Sequence, residues 1–483
     1  MRSRLIIRMI GVSLLLEALM MLISAIVAWV SHGDESLLPL LFSGLIVGVF
    51  GLFPQIYVRE KTKYRITTKE GYYIVAGSWL LACLFGTIPY IMYGGEFSFI
   101  DALFESVSGF TTTGASILND IEALPQGLLF WRMSTSWMGG IGIVALFSLV
   151  LPSSNGSVLT GVEVSGIARD DASTREKSLV KMMVTTYMAL TVISIISLKL
   201  CGMRWFDAVT HGMSVSSTCG FSTKNASIGA FNSPLIEMVM SVLMLVSSIN
   251  FCLIYSVFTK DRQKNIFQSE VSRSYLLVVA VSVVLVTISL FVSKSYSTIG
   301  EAFRRAFFHV CSFVSTSGFY TEDCNAWPSM CITILIGCSL VCGCSGSTSG
   351  GLKFDRVLVC FKSVKAKLAV VANPNQVNLV KVDSRHLSEQ RVGDTKTFMS
   401  LYFFIIALAT LVNTALGLDF QSGFSASIAC LGNVGPGFGA IGTMSNFSGF
   451  SGLFKLNCAF LMMLGRLELF SLLYVLGIRP GRR

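Results

Sequence analysis

The stretch ESVSGFTTTGAS, Glu105 to Ser116, lies between two hydrophobic runs and carries one glycine after three threonines. It is too short and too polar to cross a membrane. Three other stretches align with it without gaps when registered on Gly114, Gly220, Gly318 and Gly435. Fifteen residues before each glycine stands an aromatic: Phe99, Trp205, Phe303 or Phe420. Six before it stands Ser108, Ser214 or Ser312, with Ala429 the exception. From there to the glycine the chain reads GFTTT, VSSTC, FVSTS and CLGNV, and the glycines are spaced by 106, 98 and 117 residues. A unit repeated four times is the economical reading, and internal repeats of this kind define an architecture.

The surroundings are those of a membrane protein. Of 483 residues, 53% are hydrophobic and only 13% charged, which no ordinary soluble domain matches. Apolar runs long enough to cross a bilayer core predict ten transmembrane helices, near residues 5–30, 37–58, 72–94, 127–151, 177–203, 234–257, 274–296, 329–371, 398–418 and 453–477. The first follows Arg2, Arg4 and Arg8 like a signal peptide, but it is too long for one and lacks a cleavage site, so it reads as a retained helix. Of the 37 Lys and Arg residues, 28 fall before residue 9 or in segments 59–69, 169–181, 260–273, 353–396 and 479–483, which alternate with nearly unbasic ones. That is positive-inside topology. Both termini and the basic loops are expected in the cytoplasm, with GGEFSFIDALFE and LDFQSG outside. The net charge of +10 is then orientation information facing anionic lipid, and nucleic acid is not expected as a partner. The 13 cysteines are scattered mostly through apolar runs, and the CxC of Cys342 and Cys344 has no second pair at zinc-site spacing.

Two features depart from simple spans. The eighth run is too long for one crossing and contains GCSLVCGCSGSTSGGLK, Gly337 to Lys353, whose glycines and serines should break the helix. Non-helical backbone at that depth survives only buried in protein or facing water. The connectors after spans 3, 5, 7 and 9 are rich in Gly, Ser and Thr and suggest re-entrant hairpins: a half-helix entering from outside, then a glycine-bearing loop. Asp101 and Asp207 suit the starts of two half-helices as N-caps. Each half-helix would aim the negative end of its dipole at the bundle centre. The stretch after it, turned by a glycine at positive φ, could aim its carbonyls at a common axis. Four such stretches make a ring of oxygens able to replace the water shell of a monovalent cation.

The repeated helix, half-helix, helix unit resembles the Trk/Ktr/HKT superfamily of potassium transporters, relatives of potassium channels with four non-identical repeats in one chain. FTTTG, STCGF, STSGF and GNVGPG are similar to its four filter segments, and two spans before the first repeat resemble the TrkH type rather than the shorter KtrB type. The resemblance covers essentially the whole chain. It implies an all-α integral membrane protein with ten transmembrane helices and four re-entrant pore half-helices. Residues 1–70 would hold the two extra helices, and 71–155, 156–260, 261–375 and 376–483 the four pore repeats. It also implies K+ uptake across the bacterial inner membrane, with K+ held at Thr112, Thr113, Gly114, Thr218, Cys219, Gly220, Thr316, Ser317, Gly318, Asn433, Val434 and Gly435. The broken span matches the family's intramembrane gating loop, residues 337–353, with Gly343, Ser345, Gly346, Ser347, Thr348, Gly350 and Gly351. Arg466, deep in an apolar run where a charge is costly, matches a pore-facing arginine expected to raise an electrostatic barrier and hydrogen-bond loop carbonyls; pairing with Glu468 is the alternative. A homodimer with a cytoplasmic, TrkA-like nucleotide-binding ring is implied as well, and no organic cofactor.

Other readings stay open. Asp101, Glu105, Asp120 and Glu122 could form a field that steers cations. Lys455 could snorkel outward or act in the pore. Coupling of K+ to Na+ or H+ is the alternative mechanism. A remote alternative is an intramembrane serine protease, since residues 343–346 fit GxSG; it needs a histidine base, and His211 and His309 on the half-helices read as packing or capping groups.

Overall fold

A computed structural model describes residues 3–58, 67–142, 176–258, 266–373, 379–383, 385–467, 469, 472 and 475. The basic runs at 59–66, 169–175, 260–265 and 479–483, and Glu468, lie outside the described residues. What is described is almost all helix, with a single small hairpin, Lys381–Val382 pairing antiparallel with Arg385–His386.

Two leading helices, Ser3–Val30 and Leu37–Tyr57, cross where Gly11 and Gly51 meet; a Cβ on either would stand 2.9 Å from the other's carbonyl oxygen. Small residues at a crossing let helix backbones approach in the absence of a hydrophobic drive. Four units follow. The first has an outer helix begun by a Thr67–Glu70 capping box and interrupted at Gly86 and Thr87 (Thr68–Phe85, Ile88–Tyr93), the half-helix Phe99–Phe110 and the inner helix Gln126–Ile141. The second has Glu176–Leu200, Trp205–Ser216 and Pro234–Ser247 with Phe251–Phe258. The third has Glu270–Val292, Ile299–Val314 and Ser329–Val341, then Phe354–Ala372. The fourth has Glu389–Ala415, Phe420–Leu431 and Gly452–Arg466. Each inner helix packs on the half-helix of the next unit, and the fourth packs back on the first. This closes the units into a ring.

The half-helices begin one turn away from the expected caps. Ser98 and Asp419 are N-caps, accepting from the amides of Asp101 and Ser422, and Thr298 does so for Glu301. Asp101 and Asp207 instead lie in the first turn, because the aromatic at each start takes the first helical position. Acidic side chains there still favour the helix dipole.

The inner helices differ more from the sequence reading. The expected sixth span, 234–257, bends by 101° between Ser247 and Phe251. Within the expected fourth span, 127–151, the described helix is Gln126–Ile141, with Gly142 at φ 82°, and within the expected tenth, 453–477, it is Gly452–Arg466; residues 143–151 and most of 468–477 lie outside the described residues. The eighth breaks as expected, from Cys342 to Lys353, although Gly337 stays helical. Among the described residues, the second and third inner helices are therefore both broken. Hydropathy misses this because the flanking residues remain apolar.

The outward faces are apolar. Phe42, Val49, Phe53, Leu277, Val284, Phe404 and Leu411 are exposed, while the threonines and serines of the central loops are buried. That inversion suits a lipid solvent. Among the described residues, six helices are long and apolar enough to span, seven with the bent pair.

Candidate functional site

Each half-helix ends in the same hydrogen-bonded turn. Thr112 N–H donates to Gly109 O at 2.8 Å and Thr113 N–H to Ser108 O at 2.9 Å. The same two bonds recur for Thr218 and Cys219, for Thr316 and Ser317, and for Asn433 and Val434. This is the Schellman arrangement, whose hinge residue takes the left-handed conformation. The hinges are Thr112, Thr218, Thr316 and Asn433, at φ 55°, 55°, 60° and 53°. A β-branched residue there is strained, at roughly 1–3 kcal/mol each. Two residues on, Gly114, Gly220, Gly318 and Gly435 are again at positive φ, 79°, 84°, 73° and 95°.

The glycines close a ring. A Cβ added to Gly114 would overlap the carbonyl oxygen of Cys219; one on Gly220, that of Ser317; on Gly318, that of Val434; and on Gly435, that of Thr113. Four loops from distant parts of the chain thus set the carbonyls of Thr113, Cys219, Ser317 and Val434 around one axis. Beyond the ring the loops are tied in the same order. Ile121 N–H donates to Asn225 Oδ1 at 2.7 Å and Tyr320 O–H to Asn225 O at 2.8 Å. Gly439 N–H donates to Asn325 Oδ1 at 2.9 Å and Phe447 N–H to Ser116 O at 2.9 Å.

All four glycines line an outer cavity of about 170 Å³. Below the ring, the Thr112 hydroxyl and Asn433 Oδ1 are buried and have no hydrogen-bond partner among the described residues. Orphaned buried acceptors call for an explanation, and a cation or its water supplies one.

Ser108, Ser214 and Ser312 donate to the carbonyls of Ala115, Phe221 and Phe319 at 2.6, 2.8 and 2.6 Å, which stiffens the return of each loop. Ala429 cannot. In the fourth unit a different residue, Ser425, holds the loop farther on, its Oγ accepting from Phe438 N–H at 2.6 Å.

The segment Cys342–Lys353 packs directly under the ring. Gly350 N–H donates to the Thr316 hydroxyl at 2.9 Å, and Thr348 Oγ1 donates to Ser216 O at 3.0 Å. At the other end it binds the break in the second inner helix: Cys344 N–H donates to Ser248 O at 2.9 Å, and Phe251 N–H to Gly346 O at 3.0 Å. The bend at 248–250 exists because this segment satisfies its freed backbone groups. Gly343 and Gly351 lie where a Cβ would meet the Ser349 hydroxyl and the Cys342 thiol. Ser347 Oγ donates to Cys344 O at 2.6 Å, and Ser345 N–H to Asp355 Oδ2 at 2.5 Å.

Arg466 stands beside the segment. Its guanidinium donates to Thr348 O at 2.7 Å and to Gly139 O and Gly140 O at 2.6 and 2.9 Å. It therefore joins the segment to the end of the first inner helix, a pairing that no spacing in the sequence indicates.

The outer acids are not a free field. Glu105 is buried and paired with Arg132 at 2.6 Å; Asp101 pairs with Lys455 at 2.6 Å; Glu122 pairs with Lys224 at 2.9 Å; Asp120 accepts from Asn225 Nδ2 at 2.8 Å. The Lys224 ammonium beside Glu122 holds that carboxyl below the usual carboxylate range. Steering by the first outer loop is thus offset by Arg132 of the same unit and by Lys455 and Lys224 of the fourth and second units. Lys455, rather than snorkelling free, ties the fourth unit to the first.

The fold and site can be set beside known proteins. A family model described as TrkH, a cation transport protein, matches residues 52–479. The Trk system potassium uptake protein TrkH of Escherichia coli K12 is 32% identical over 479 residues, covering 98% of each chain. The Trk system potassium uptake protein TrkG of the same strain is 33% identical over 421 residues, covering 86% of each. The crystal structure of the potassium transporter TrkH from Vibrio parahaemolyticus superposes with a TM-score of 0.89 at 29% identity, covering 99% of each chain. With its four-unit ring, its apolar exterior and this end-to-end match, the chain belongs to the TrkH family of cation transport proteins.

Proposed function

We propose that this chain mediates K+ uptake across the cytoplasmic membrane. K+ passes through the ring formed by residues 112–114, 218–220, 316–318 and 433–435, and the segment 342–353 with Arg466 gates it from below. The observation that carries this reading is the closed order of the ring, each filter glycine set against the carbonyl of the next loop. Neutral carbonyl and hydroxyl oxygens suit a monovalent cation, whereas a carboxylate ring would favour a divalent one. The relatives named for potassium uptake point the same way. The family is one of transport proteins and not enzymes, which removes the serine protease reading; Ser345 is buried and no histidine hydrogen-bonds it among the described residues.

The finer parts of the proposal are the division into two leading helices and four pore repeats, an orientation with both termini cytoplasmic, a homodimer, and a TrkA-like nucleotide-binding ring as cytoplasmic partner. The basic loops support the orientation, and the relatives' membership of a Trk system supports the partner. Proton coupling is the second reading, favoured by Glu17, a buried carboxyl in the first helix with no hydrogen-bond partner among the described residues. Uptake of 86Rb+ into proteoliposomes, with Na+ and pH gradients varied independently, tests both. Flux with neither gradient supports conduction; flux that requires a proton gradient supports the symporter; no Rb+ flux under any condition overturns the K+ reading.

A further inference from the structure

Nine residues before the ring glycines the half-helices carry Glu105, His211, His309 and Ala426, all fully buried. The first three reach behind the ring to the strand that leaves it. Glu105 accepts from the Ser116 hydroxyl at 3.1 Å and from Ile117 N–H at 3.1 Å. His211 Nε2 lies 2.9 Å from the Ser222 hydroxyl. His309 Nε2 accepts from Thr321 N–H at 3.5 Å. Both histidines have their second nitrogen fixed one turn back, Nδ1 lying 2.8 Å from Asp207 O and 3.0 Å from Arg305 O. A carbonyl only accepts, so Nδ1 carries the hydrogen and Nε2 is left as the acceptor. The fourth unit, with alanine at this place, gives the task to Ser425, which takes Phe438 N–H.

The same mechanical connection is therefore made four times with different chemistry, two or three residues past each glycine. In the first unit it extends across the ring. Arg132, held by Glu105, donates to Ser222 O at 3.3 Å and lies 3.9 Å over the Phe221 ring. One buried ion pair thus braces the exits of the first and second loops together.

Discrimination between K+ and the smaller Na+ requires the carbonyls to keep their separation when a smaller ion would draw them in. The side chains that resist such inward motion are those anchoring the loop exits, since Schellman turns already hold the loop entries. We infer, on the reading of the ring as a K+ filter, that Glu105, His211 and His309 are positioning residues that set its K+ over Na+ discrimination, Ser425 taking that role in the fourth unit.

The test is the ratio of 86Rb+ to 22Na+ uptake in proteoliposomes for His211→Ala, His309→Ala, His309→Gln and Ser425→Ala, each checked for folding by size exclusion. Loss of one anchoring bond lowers the ratio roughly fivefold in the alanine variants, the Boltzmann equivalent of one buried hydrogen bond. His309→Gln, whose amide oxygen still accepts the Thr321 amide, keeps the wild-type ratio. Alanine variants in which both fluxes fall together at constant ratio overturn the inference, because that is the signature of a purely structural residue. So does His309→Gln losing selectivity as fully as His309→Ala. Four variants on three half-helices keep the ratio readable if one fails to fold. Failure of the K+ reading itself appears separately, as absence of Rb+ flux in the wild type.

Discussion

Thr112, Thr218, Thr316 and Asn433 occupy a backbone region that threonine avoids, and they do so at one place in all four units. Strain repeated in register belongs to a working part and not to accident. The glycines two residues on were legible from the sequence, since glycine is the residue that positive φ calls for. The strained threonines were not, because their side chains argue against the conformation they adopt. Placing a methyl on the ring is correspondingly costly. Gly220→Ala puts a Cβ against the Ser317 carbonyl and should reduce Rb+ over Na+ selectivity by about tenfold or more, given roughly 1–2 kcal/mol for the backbone alone; competition uptake assays measure it. Arg466 was legible as a costly charge in an apolar run, and the resemblance implied bonds to loop carbonyls, but its link to Gly139 and Gly140 was not legible. Arg466→Ala removes three hydrogen bonds from a cation, each worth about 1.5–3 kcal/mol. It should raise Rb+ flux through the resting protein by about tenfold or more, with Arg466→Lys intermediate. Unchanged flux in the alanine variant would refute the barrier role.

At the level of elements, the segment 342–353 and the bent second inner helix form one assembly. Neither break is stable alone, since each supplies the hydrogen-bond partners the other lacks. The glycine-rich sequence announced the first break. The second, at Ser248 to Asn250, carries no glycine or proline, and its cause lies in another part of the chain. Gly350 shows how closely the segment fits beneath the ring: a Cβ there would stand 2.6 Å from Gly432 O and 2.7 Å from Asn433 Cβ. Gly350→Ala should push the segment from under Thr316 and raise basal Rb+ flux by several-fold, read in proteoliposomes without a partner protein. Flux equal to wild type would show that the segment does not obstruct the path.

Across the whole molecule, ion pairs bind unit to unit at the outer mouth, and they should differ in weight. Lys455 and Asp101 are mostly buried, with side chains 7% and 18% exposed, whereas Lys224 and Glu122 are 34% and 43% exposed. Lys455→Ala strands a carboxylate and should destabilise by about 3 kcal/mol, while Lys224→Ala should cost less than about 1 kcal/mol; thermal unfolding of the purified protein in detergent compares them. Because Glu122 is held below its ordinary range by Lys224, the small stability from that pair is present at neutral pH and fades as pH falls through the carboxylate range. The sequence by itself determined the membrane class, the fourfold recurrence of the loop and the glycines on which it registers. Those follow from composition and spacing, which are local or periodic properties of a chain. Only the tertiary structure decided which carbonyl faces which glycine, where the inner helices break, and what Arg466, Lys455 and Glu105 bind. Those are meetings of groups up to hundreds of residues apart, and in a bundle whose exterior is uniformly apolar the hydropathy of each span says nothing about its partners.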